Sequence, residues 1–266
     1  MRNVLTPDRK LVASRFSAAS GVYDRFAEHH RLIAAKVLDI VGAFQLESLL
    51  ELGCGTGILS SGLNDSFPDT LKVFTDGAPG MVKVCRNRIP ESDLVSHRIW
   101  DFEKMRCDRK YDLVVSSCAL QWLGNPASFV RKLSSLMEPG GITVHAIPVR
   151  GMLGELEQSF SETGGDWNSL NYISGSDWDQ LLRDSGFDVT GSFTRDFTVH
   201  YPSPVDALRA VRGIGASLSG HSGASAVSPV SLRKALDYYQ SEFCDDSGAV
   251  PATYRIHFAV AYGGSR

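Results

Sequence analysis

Three observations predict an α/β protein built on a mostly parallel sheet with helices on both faces. The first is a strand, a glycine turn and a helix in direct succession over residues 48–67. The second is the alternation of strand-like and helix-like segments as far as residue 150, which is typical of a parallel sheet. The third is the composition: 266 residues, 43% hydrophobic and 21% charged, can bury a large core.

The amino-terminal segment, residues 8–44, is predicted to be helical. Tyr23, Ile33 and Val37 belong to an apolar stripe whose spacings are near three and four residues, or multiples of these. Gly21 interrupts the pattern and indicates a break between two helices. We therefore expect two helices before the first strand of the sheet.

Five strands are predicted between residues 45 and 150. The apolar runs expected to form them are 48–52, 71–75, 95–99, 111–116 and 142–147. The helices between them are expected near 58–67, 79–88 and 129–136, and a sharp Pro-Gly-Gly turn at 139–141 leads into the fifth strand. Right-handed crossovers then determine most of the topology.

The pattern changes after residue 150. Helices are predicted over 152–162 and 176–185, and the alternating segment 187–201 is predicted to be a strand or a hairpin. Two helices flanking a loop rich in Ser, Gly and Ala are expected to form an insertion over the carboxyl edge of the sheet. The predicted organisation is an amino-terminal helical unit, a core, a helical insertion and a last strand of the core, over residues 1–44, 45–201, 202–250 and 251–266.

Composition and charge exclude several classes of protein. The net charge of −3, from 27 basic and 30 acidic residues, disfavours general binding to nucleic acid or to an anionic membrane. The five cysteines show neither metal-ligand spacing nor a disulfide framework, which favours a reducing compartment. No leader pattern follows the first residues, and no stretch approaches the roughly 18 apolar residues of a membrane span. We expect a cytoplasmic protein without a metal, membrane or nucleic-acid partner.

The glycine turn, Gly-Cys-Gly-Thr-Gly from Gly53 onward, lies where parallel sheets bind ligands, beyond the carboxyl end of a strand. A dinucleotide fingerprint requires G-x-G-x-x-G, but counting from Gly53 or Gly55 its last position is Ile58 or Ser60. Glu51 lies two residues before the turn, where its carboxylate would repel a pyrophosphate and attract a ligand ammonium. The turn therefore favours S-adenosylmethionine, with its amino-acid part and positive sulfonium, over a dinucleotide.

Acidic residues end the next two predicted strands. Asp76, 25 residues after Glu51, can accept hydrogen bonds from two ribose hydroxyls, although an acid here serves ribose in dinucleotide folds too. Asp101 and Phe102 can bracket an adenine, with a carboxylate for the exocyclic amine and a ring beside the base. Helix capping by Asp76 and a simple loop end at Asp101 are the structural alternatives. Three such features at three successive strand ends favour the S-adenosylmethionine site.

This arrangement resembles the class I S-adenosylmethionine-dependent methyltransferases over roughly residues 45–150, on the specific motif Glu-Leu-Gly-Cys-Gly-Thr-Gly. The resemblance implies a doubly wound, Rossmann-like sheet of seven strands, of which the last is antiparallel. It also implies a set of cofactor-contacting positions, namely Glu51, Gly53, Cys54, Gly55, Gly57, Asp76, Gly77, Met81, Asp101, Phe102 and Cys118.

The segment after the fourth strand, residues 116–123, concerns the methyl acceptor. It lacks the Asn-Pro-Pro-aromatic motif of N-methyltransferases, and its Ala-Leu-Gln-Trp-Leu resembles two families that methylate small acids. These are the malonyl-[acyl-carrier protein] O-methyltransferases of biotin synthesis and the trans-aconitate methyltransferases. Residues 15–24, which resemble the amino-terminal lid helix of the former, favour it, as do 172–174 and Arg-Gly-Ile-Gly-Ala at 212–216. With these segments the resemblance spans nearly the whole chain, and it implies malonyl-acyl carrier protein or malonyl-coenzyme A as the substrate.

A malonyl carboxylate is ionised at pH 7 and is itself the nucleophile, so no general base is required. Catalysis would then rest on in-line positioning and on the exclusion of water. We nominate Arg150, after the fifth strand, to hold the carboxylate; a solvated turn arginine is the alternative. Tyr23 is expected to hydrogen-bond the cofactor or the acyl group from the lid, and Gln121 to line the pocket. His145 is expected to be buried structure, and no role is assigned to His30.

An acyl carrier protein is acidic, so a basic docking face is expected on the enzyme. Two predicted helices offer four cations for it, with a solvated helix face as the alternative: Arg209, Arg212, Arg233 and Lys234. Three other functions remain open. They are methylation of a free small acid such as aconitate, non-catalytic binding of S-adenosylmethionine, and a dinucleotide oxidoreductase, which Ile58 disfavours.

Overall fold

The structure, a computed structural model, describes residues 8–104, 109–165, 171–213 and 228–263. Within these residues seven strands form one sheet, in the order β3-β2-β1-β4-β5-β7-β6. Strand β7 runs antiparallel to both of its neighbours, and the other recorded pairings are parallel. The strands are β1 Ser48–Leu52, β2 Leu71–Asp76, β3 Val95–Ile99, β4 Tyr111–Ser117, β5 Met137–Pro148, β6 Phe187–Tyr201 and β7 Val250–Gly263. The predicted fold class is confirmed.

Helices pack on both faces of the sheet. Neighbouring residues of β1, Leu49 and Leu50, are both fully buried but belong to different apolar clusters, because successive side chains of a strand point to opposite faces. Burial on both faces is typical of a parallel sheet. The helices are α1 Arg9–Ala19, α2 Glu28–Val41, α3 Ile58–Ser66, α4 Pro79–Arg88, α5 Pro126–Leu133, α6 Gly154–Glu162, α7 Gly175–Asp184, α8 Pro204–Gly213 and α9 Pro229–Phe243. In the described part of the chain, no helix has the length and apolar character needed to cross a membrane.

Two strands differ in detail from the sequence expectation. The predicted turn at 139–141 lies inside β5 as an irregularity, because Tyr111 pairs with Met137 but Leu113 pairs with Ile142. Gly140 accommodates this bulge at a φ of +74°. The segment 187–201 is one long strand and not a hairpin, since it pairs with β7 along nearly its whole length.

The amino-terminal segment forms two helices, with Gly21 in the break between them, as predicted. A short 3₁₀ turn, Tyr23–Arg25, follows the break and leads toward α2. Helix α1 lies against the start of α4, where Ser17 Oγ accepts a hydrogen bond from the Gly80 N–H at 3.1 Å. A Cβ atom on Gly80 would lie 2.7 Å from the Ser17 carbonyl oxygen, so only a glycine permits this approach.

Helices α8 and α9 lie between β6 and β7 in the chain, and residues 214–227, which include most of the Arg-Gly-Ile-Gly-Ala match, lie outside the described residues. Helix α9 is anchored by the buried Tyr239, whose hydroxyl donates to the Pro251 carbonyl. At the end of α8, a Cβ atom on Gly213 would lie 2.3 Å from the Phe26 ring. The insertion therefore packs against the segment that joins the two amino-terminal helices.

Candidate active site

A cavity of about 540 Å³ lies at the carboxyl ends of the central strands. One side, the strand-end wall, consists of Glu51, Gly53, Cys54, Gly55, Asp76, Gly77, Ala78, Met81, Trp100, Asp101, Phe102, Ser117, Cys118 and Ala119. The other side, the lid wall, comes from α1, the 3₁₀ turn and α2 and consists of Arg9, Lys10, Val12, Ala13, Phe16, Tyr23, His30 and Ala34. The two walls come from segments that are distant in the sequence, and the fold brings them together around the cavity.

The glycine turn after β1 is held on β2 by its own backbone. The N–H groups of Gly53 and Cys54 both donate to the Thr75 carbonyl, at 2.7 and 2.8 Å. Gly53 has a φ of +79°, and a Cβ atom there would lie 2.2 Å from Ala119 Cβ. At Gly55, with a φ of +54°, a Cβ atom would meet no protein atom within 4 Å. The first glycine thus lets two loops touch, and the second leaves the cavity open.

Asp76 is the last residue of β2 and organises the turn. Its two carboxylate oxygens accept the N–H groups of Gly55 at 3.0 Å and of Ala78 at 2.7 Å. Burial raises the pKa of this carboxyl, and the two N–H donors act against that rise. Since a carboxylate offers about four lone-pair positions, Asp76 keeps the capacity to accept two further hydrogen bonds from the cavity.

Glu51 lies at the base of the cavity and is buried. Its Oε2 accepts a hydrogen bond from Ser60 Oγ at 2.6 Å. Burial raises the pKa of Glu51 to about 8, with the Ser60 hydrogen bond acting in the opposite direction. The side chain is therefore largely protonated at neutral pH, and a cation in the cavity would favour its ionised form.

The far end of the strand-end wall joins the lid. Arg9 of α1 forms ion pairs with Asp101, at 3.0 Å, and with Glu103. Phe102 packs edge-on against Phe129 with ring centroids 6.0 Å apart. The carboxylate and the ring after β3 are thus held in place from opposite sides, one by the lid and one by α5.

The loop after β4 supplies the part of the strand-end wall that faces the lid. Cys118 adopts a φ of +53°, which is rare for a residue with a side chain, and its N–H donates to the Ala146 carbonyl at 2.8 Å. Burial raises the pKa of its thiol to about 12, so the thiol stays protonated. Trp122 meets Phe16 of α1 edge-on, with ring centroids 5.6 Å apart. This aromatic contact closes the cavity between loop and lid.

The lid wall carries a tyrosine–histidine pair. The Tyr23 hydroxyl lies 3.1 Å from His30 Nε2, and both residues line the cavity. Burial, with the nearby Cys118 and Asp76, raises the pKa of Tyr23 well above its usual value. Burial lowers the pKa of His30 to about 4. At neutral pH both side chains are therefore uncharged.

The turn that carries Tyr23 is tied to the glycine turn. Asp24 Oδ1 accepts a hydrogen bond from Thr56 Oγ1 at 2.6 Å, and its other oxygen forms an ion pair with Arg88 of α4. The position of Tyr23 is thus linked to the loop on the opposite wall through one intervening residue.

Most of the predicted site residues come together in this cavity. Tyr23 and ten of the eleven predicted cofactor positions line it: Glu51, Gly53, Cys54, Gly55, Asp76, Gly77, Met81, Asp101, Phe102 and Cys118. Whether these residues contact a cofactor stays a prediction. His145 is buried between Thr143 and Trp178, and burial lowers its pKa to about 3, so the prediction of a structural role is confirmed.

Three predicted site residues do not line the cavity. Gly57 instead faces α4, since a Cβ atom there would lie 3.0 Å from Cys85 Sγ. Gln121 turns back on its own loop, with its amide donating to the Cys118 carbonyl at 2.7 Å. Arg150 is exposed in the turn after β5, where its N–H donates to the Ile173 carbonyl. Strand ends place backbone reliably, whereas the direction of a side chain in the next turn depends on contacts that sequence does not reveal.

Sequence reasoning also missed residues that line the cavity. His30 was given no role, although it follows Tyr23 by seven residues, a separation of two helical turns that could have indicated a shared face. Thr56 lies inside the glycine motif, but its spacing gives it no separate role, and the sequence gives no sign that Arg9 and Lys10 lie at this cavity. These positions come from α1, α2 and the motif loop, and tertiary packing alone places them.

Comparison with known proteins gives matches of two kinds. Residues 50–143 match the family of methyltransferase domains. Malonyl-[acyl-carrier protein] O-methyltransferase 2 of Ilyobacter polytropus is 28% identical over 255 residues, which cover 95% of this chain and 98% of the relative. The malonyl-[acyl-carrier protein] O-methyltransferase of Bacillus cereus is 29% identical over 262 residues, covering 94% and 96%.

Solved structures show the same fold. The YcgJ protein of Bacillus subtilis has a TM-score of 0.63 at 12% identity, covering 90% of this chain and 100% of its own. A Bacillus halodurans protein described as a methyltransferase has a TM-score of 0.61 at 19% identity, covering 87% and 98%. At such low sequence identity, these two matches support the fold and nothing further.

Proposed function

We propose that this chain, a class I S-adenosylmethionine-dependent methyltransferase, methylates the free carboxylate of a malonyl group carried on acyl carrier protein. The product is the malonyl methyl ester that begins the pimeloyl part of biotin synthesis. A malonyl-coenzyme A thioester is the second source of the same acyl group. The reaction takes place in the cavity between the strand-end wall and the lid wall.

One observation carries this proposal: the end-to-end similarity to relatives that bear this name. The Ilyobacter polytropus protein aligns over 95% of this chain and 98% of its own length, so the lid and the insertion are matched along with the core. A shared cofactor domain alone would match only the central part of the chain, as residues 50–143 do. A fold and cofactor domain shared by many enzymes does not by itself identify the acceptor, so the match outside that domain adds to the proposal.

The strand-end wall fits S-adenosylmethionine on two observations of this structure. Asp76 retains the capacity for two hydrogen bonds, as two neighbouring ribose hydroxyls require. The open space beside Gly55 allows a ligand to lie directly on the backbone. In this proposal Asp76 holds the ribose, Asp101 and Phe102 bracket the adenine, and Glu51 lies near the amino-acid part.

The chemistry of the cavity suits an acceptor that is already ionised. When bound, S-adenosylmethionine supplies an electrophilic methyl group. Among the lining residues, His30 is a weak base because burial lowers its pKa to about 4, and the Cys118 thiol holds its proton up to about pH 12. Neither of these two side chains would serve as a base toward an amine or an alcohol. A carboxylate needs only orientation and a dry site, which the Phe16–Trp122 contact helps to supply.

Arg150 is not well placed for the carboxylate in this structure, since it is exposed and lies outside the cavity lining. Among the described residues, the cations that line the cavity are Arg9, Lys10 and Lys104. Arg9 is already paired with two carboxylates, Asp101 and Glu103. We place the acyl carboxylate on the lid wall, near Tyr23.

The proposed docking face for the acidic carrier protein lies on α8 and α9. All four predicted cations are exposed, but two are paired on their own helix: Arg209 with Asp206 at 3.0 Å, and Arg233 with Asp237 at 3.9 Å. Arg212 has no recorded ion pair among the described residues, and the same holds for Lys234. These two carry the charge that is free to attract a partner.

The test supplies methyl-labelled S-adenosylmethionine with three acceptors in parallel: malonyl-acyl carrier protein, malonyl-coenzyme A and free trans-aconitate. We expect base-labile label on the malonyl thioesters, with the carrier protein preferred in kcat/KM. Succinyl-acyl carrier protein, one methylene longer, is the matched control for acyl length. Label on aconitate alone, or cofactor binding without transfer to any acceptor, would reject the proposal.

A further inference from the structure

His30 and Tyr23 form the one recorded side-chain hydrogen bond within the lid wall as described. The bond joins Tyr23 Oη and His30 Nε2 at 3.1 Å. Both residues line the cavity, and Tyr23 is only 8% exposed. The other ring nitrogen of His30, Nδ1, is buried and has no hydrogen-bond partner among the described residues. The His30 ring therefore has one nitrogen with a hydrogen-bond partner and one without.

This asymmetry determines where the single proton of the neutral imidazole lies. A proton on Nδ1 would leave a buried N–H donor unpaired, which is costlier than leaving a nitrogen lone pair unpaired. A proton on Nε2 is donated to Tyr23 Oη. Tyr23 then accepts from the histidine, and its own O–H must be directed elsewhere.

The free direction for that O–H is the cavity. Tyr23 lines the same cavity as Cys118 and Asp76 of the strand-end wall, and burial, followed by these two neighbours, raises its pKa. It therefore stays a protonated donor in the cavity, and it donates its strongest hydrogen bond to an anionic oxygen. Both ligands of the proposed reaction carry one: S-adenosylmethionine has an α-carboxylate, and the acyl group has a terminal carboxylate.

We propose that His30 is a positioning residue, which holds the Tyr23 hydroxyl as a hydrogen-bond donor to a ligand carboxylate in the cavity. The histidine does not touch the ligand and takes no proton in the reaction. This inference rests on the proposed function for the identity of the two carboxylates, but not for the hydrogen bond itself.

Five variants test the inference: Tyr23→Phe, His30→Leu, the double variant that combines these two, His30→Gln and the control His29→Leu. Glutamine retains an N–H donor at about the reach of Nε2, and leucine retains none. His29 is the control for the loss of an adjacent buried imidazole. It has an unpartnered Nδ1 too, and its ring stacks on Tyr254 at 3.6 Å. The ring also packs on that of His30 at 4.0 Å, an apolar contact that leucine can keep while it removes the nitrogens. S-adenosylhomocysteine binding by calorimetry and steady-state kinetics with malonyl-acyl carrier protein are measured for each.

We expect Tyr23→Phe and His30→Leu to weaken binding of the same ligand by the same factor, about 10- to 30-fold. The double variant should weaken it no more than either single variant does. His30→Gln should recover most of the loss, and His29→Leu should change neither constant. A rise in the Kd of S-adenosylhomocysteine assigns the Tyr23 hydroxyl to the cofactor carboxylate. A rise in the KM for malonyl-acyl carrier protein alone assigns it to the acyl carboxylate. Independent losses from the two residues would overturn the inference.

The tautomer is measured separately, on the protein with ¹⁵N-labelled histidine and no acceptor present. We expect the ¹⁵N signals of His30 to be those of an Nε2–H tautomer. Their absence in His30→Gln assigns them to His30, and His29→Leu should show the same tautomer. An Nδ1–H tautomer would overturn the inference. Because this readout and the binding readout need no methyl transfer, they stand even if malonyl-acyl carrier protein is not the substrate.

Discussion

The two walls of the cavity are built in different ways. The strand-end wall consists of residues that directly follow strands, held by main-chain contacts such as those of Gly53 and Cys54 to the Thr75 carbonyl. The lid wall consists of side chains from helices that reach the cavity only through tertiary packing, as α1 does through the Ser17–Gly80 contact. Backbone geometry governs the first wall, and side-chain contacts govern the second.

This difference separates the two tasks of the enzyme. A cofactor that is the same for every class I methyltransferase can be bound by a backbone frame with a few fixed acids, such as Asp76. An acceptor that differs from one enzyme to the next is better met by side chains outside that backbone frame, such as Tyr23. Changes in the strand-end wall should therefore abolish cofactor binding, whereas changes in the lid wall or beyond it should alter the handling of the acceptor.

The largest effect is expected for Asp76→Asn. The variant loses the charge that strengthens hydrogen bonds to ribose, and its amide group opposes a backbone N–H donor. At about 1.5–3 kcal/mol for each charge-assisted hydrogen bond, the Kd for S-adenosylhomocysteine should rise about 100-fold or more, as measured by calorimetry.

Asp112→Asn is the matched control for that change. Asp112 also accepts two backbone N–H groups, of Glu47 and Ser48 at 3.0 and 2.8 Å, but it lies at the start of β4, away from the cavity. The Asp112→Asn variant should have a lower thermal stability and an unchanged Kd for S-adenosylhomocysteine. Equal losses of affinity in the two variants would show that Asp76 acts only on the fold.

Gly53→Ala should come next, since it forces the two loops of the strand-end wall apart. The left-handed backbone costs a side chain about 1–2 kcal/mol, and the clash with Ala119 Cβ adds about 1–3 kcal/mol. Gly140→Ala, also at positive φ but with no atom within 4 Å of the new Cβ, should lose only the first part. Chemical denaturation measures both; identical losses would refute the role of the loop contact.

Glu51 gives the strand-end wall a pH dependence. Its pKa is about 8 in the folded protein and 4.5 when free, so the folded state holds the proton more strongly. Its contribution to stability is therefore present below about pH 4.5 and is lost as the pH rises toward 8. We expect Glu51→Gln to match the parent protein at pH 5 and to exceed it at pH 9, by on the order of 2–4 kcal/mol. Urea unfolding at both pH values measures this, and parallel stability curves would contradict it.

The smallest effect is expected on the proposed docking face, whose four cations lie outside the cavity lining. Arg212→Glu and Lys234→Glu together should raise KM for malonyl-acyl carrier protein about three- to tenfold at low salt, and less in 0.5 M salt. Arg209→Glu with Arg233→Glu should do less, because an acid on the same helix already offsets each arginine. Malonyl-coenzyme A is the control substrate. An equal rise in its KM would exclude a carrier-docking role.

The same division explains what could be predicted from the sequence. The alternation of strands and helices and the position of Asp76 follow from apolar runs and from the rule that ligands bind at strand ends, whereas the number of seven strands comes from the family resemblance. In a parallel sheet these ends lie along one edge whatever the loops do. The side chain of an acid that ends a strand has little freedom to point elsewhere.

The rest of the site depends on contacts between distant segments. Arg150 follows β5 as expected, yet the turn it occupies presents it to solvent. The sequence does not show what the Gln121 side-chain amide binds, and in the structure it donates to the Cys118 carbonyl of its own loop. His30 becomes significant only because the 3₁₀ turn brings Tyr23 back beside it. Side-chain partners of this kind carry no periodic signal in a single sequence.

A crystal structure of the complex with S-adenosylhomocysteine and a carrier protein bearing a non-hydrolysable malonyl amide tests the division of the two walls most directly. We expect the ribose hydroxyls on Asp76 and the acyl carboxylate inside the cavity, on the side of Tyr23. A ribose away from Asp76, or an acyl carboxylate held by Arg150 outside the cavity, would contradict it.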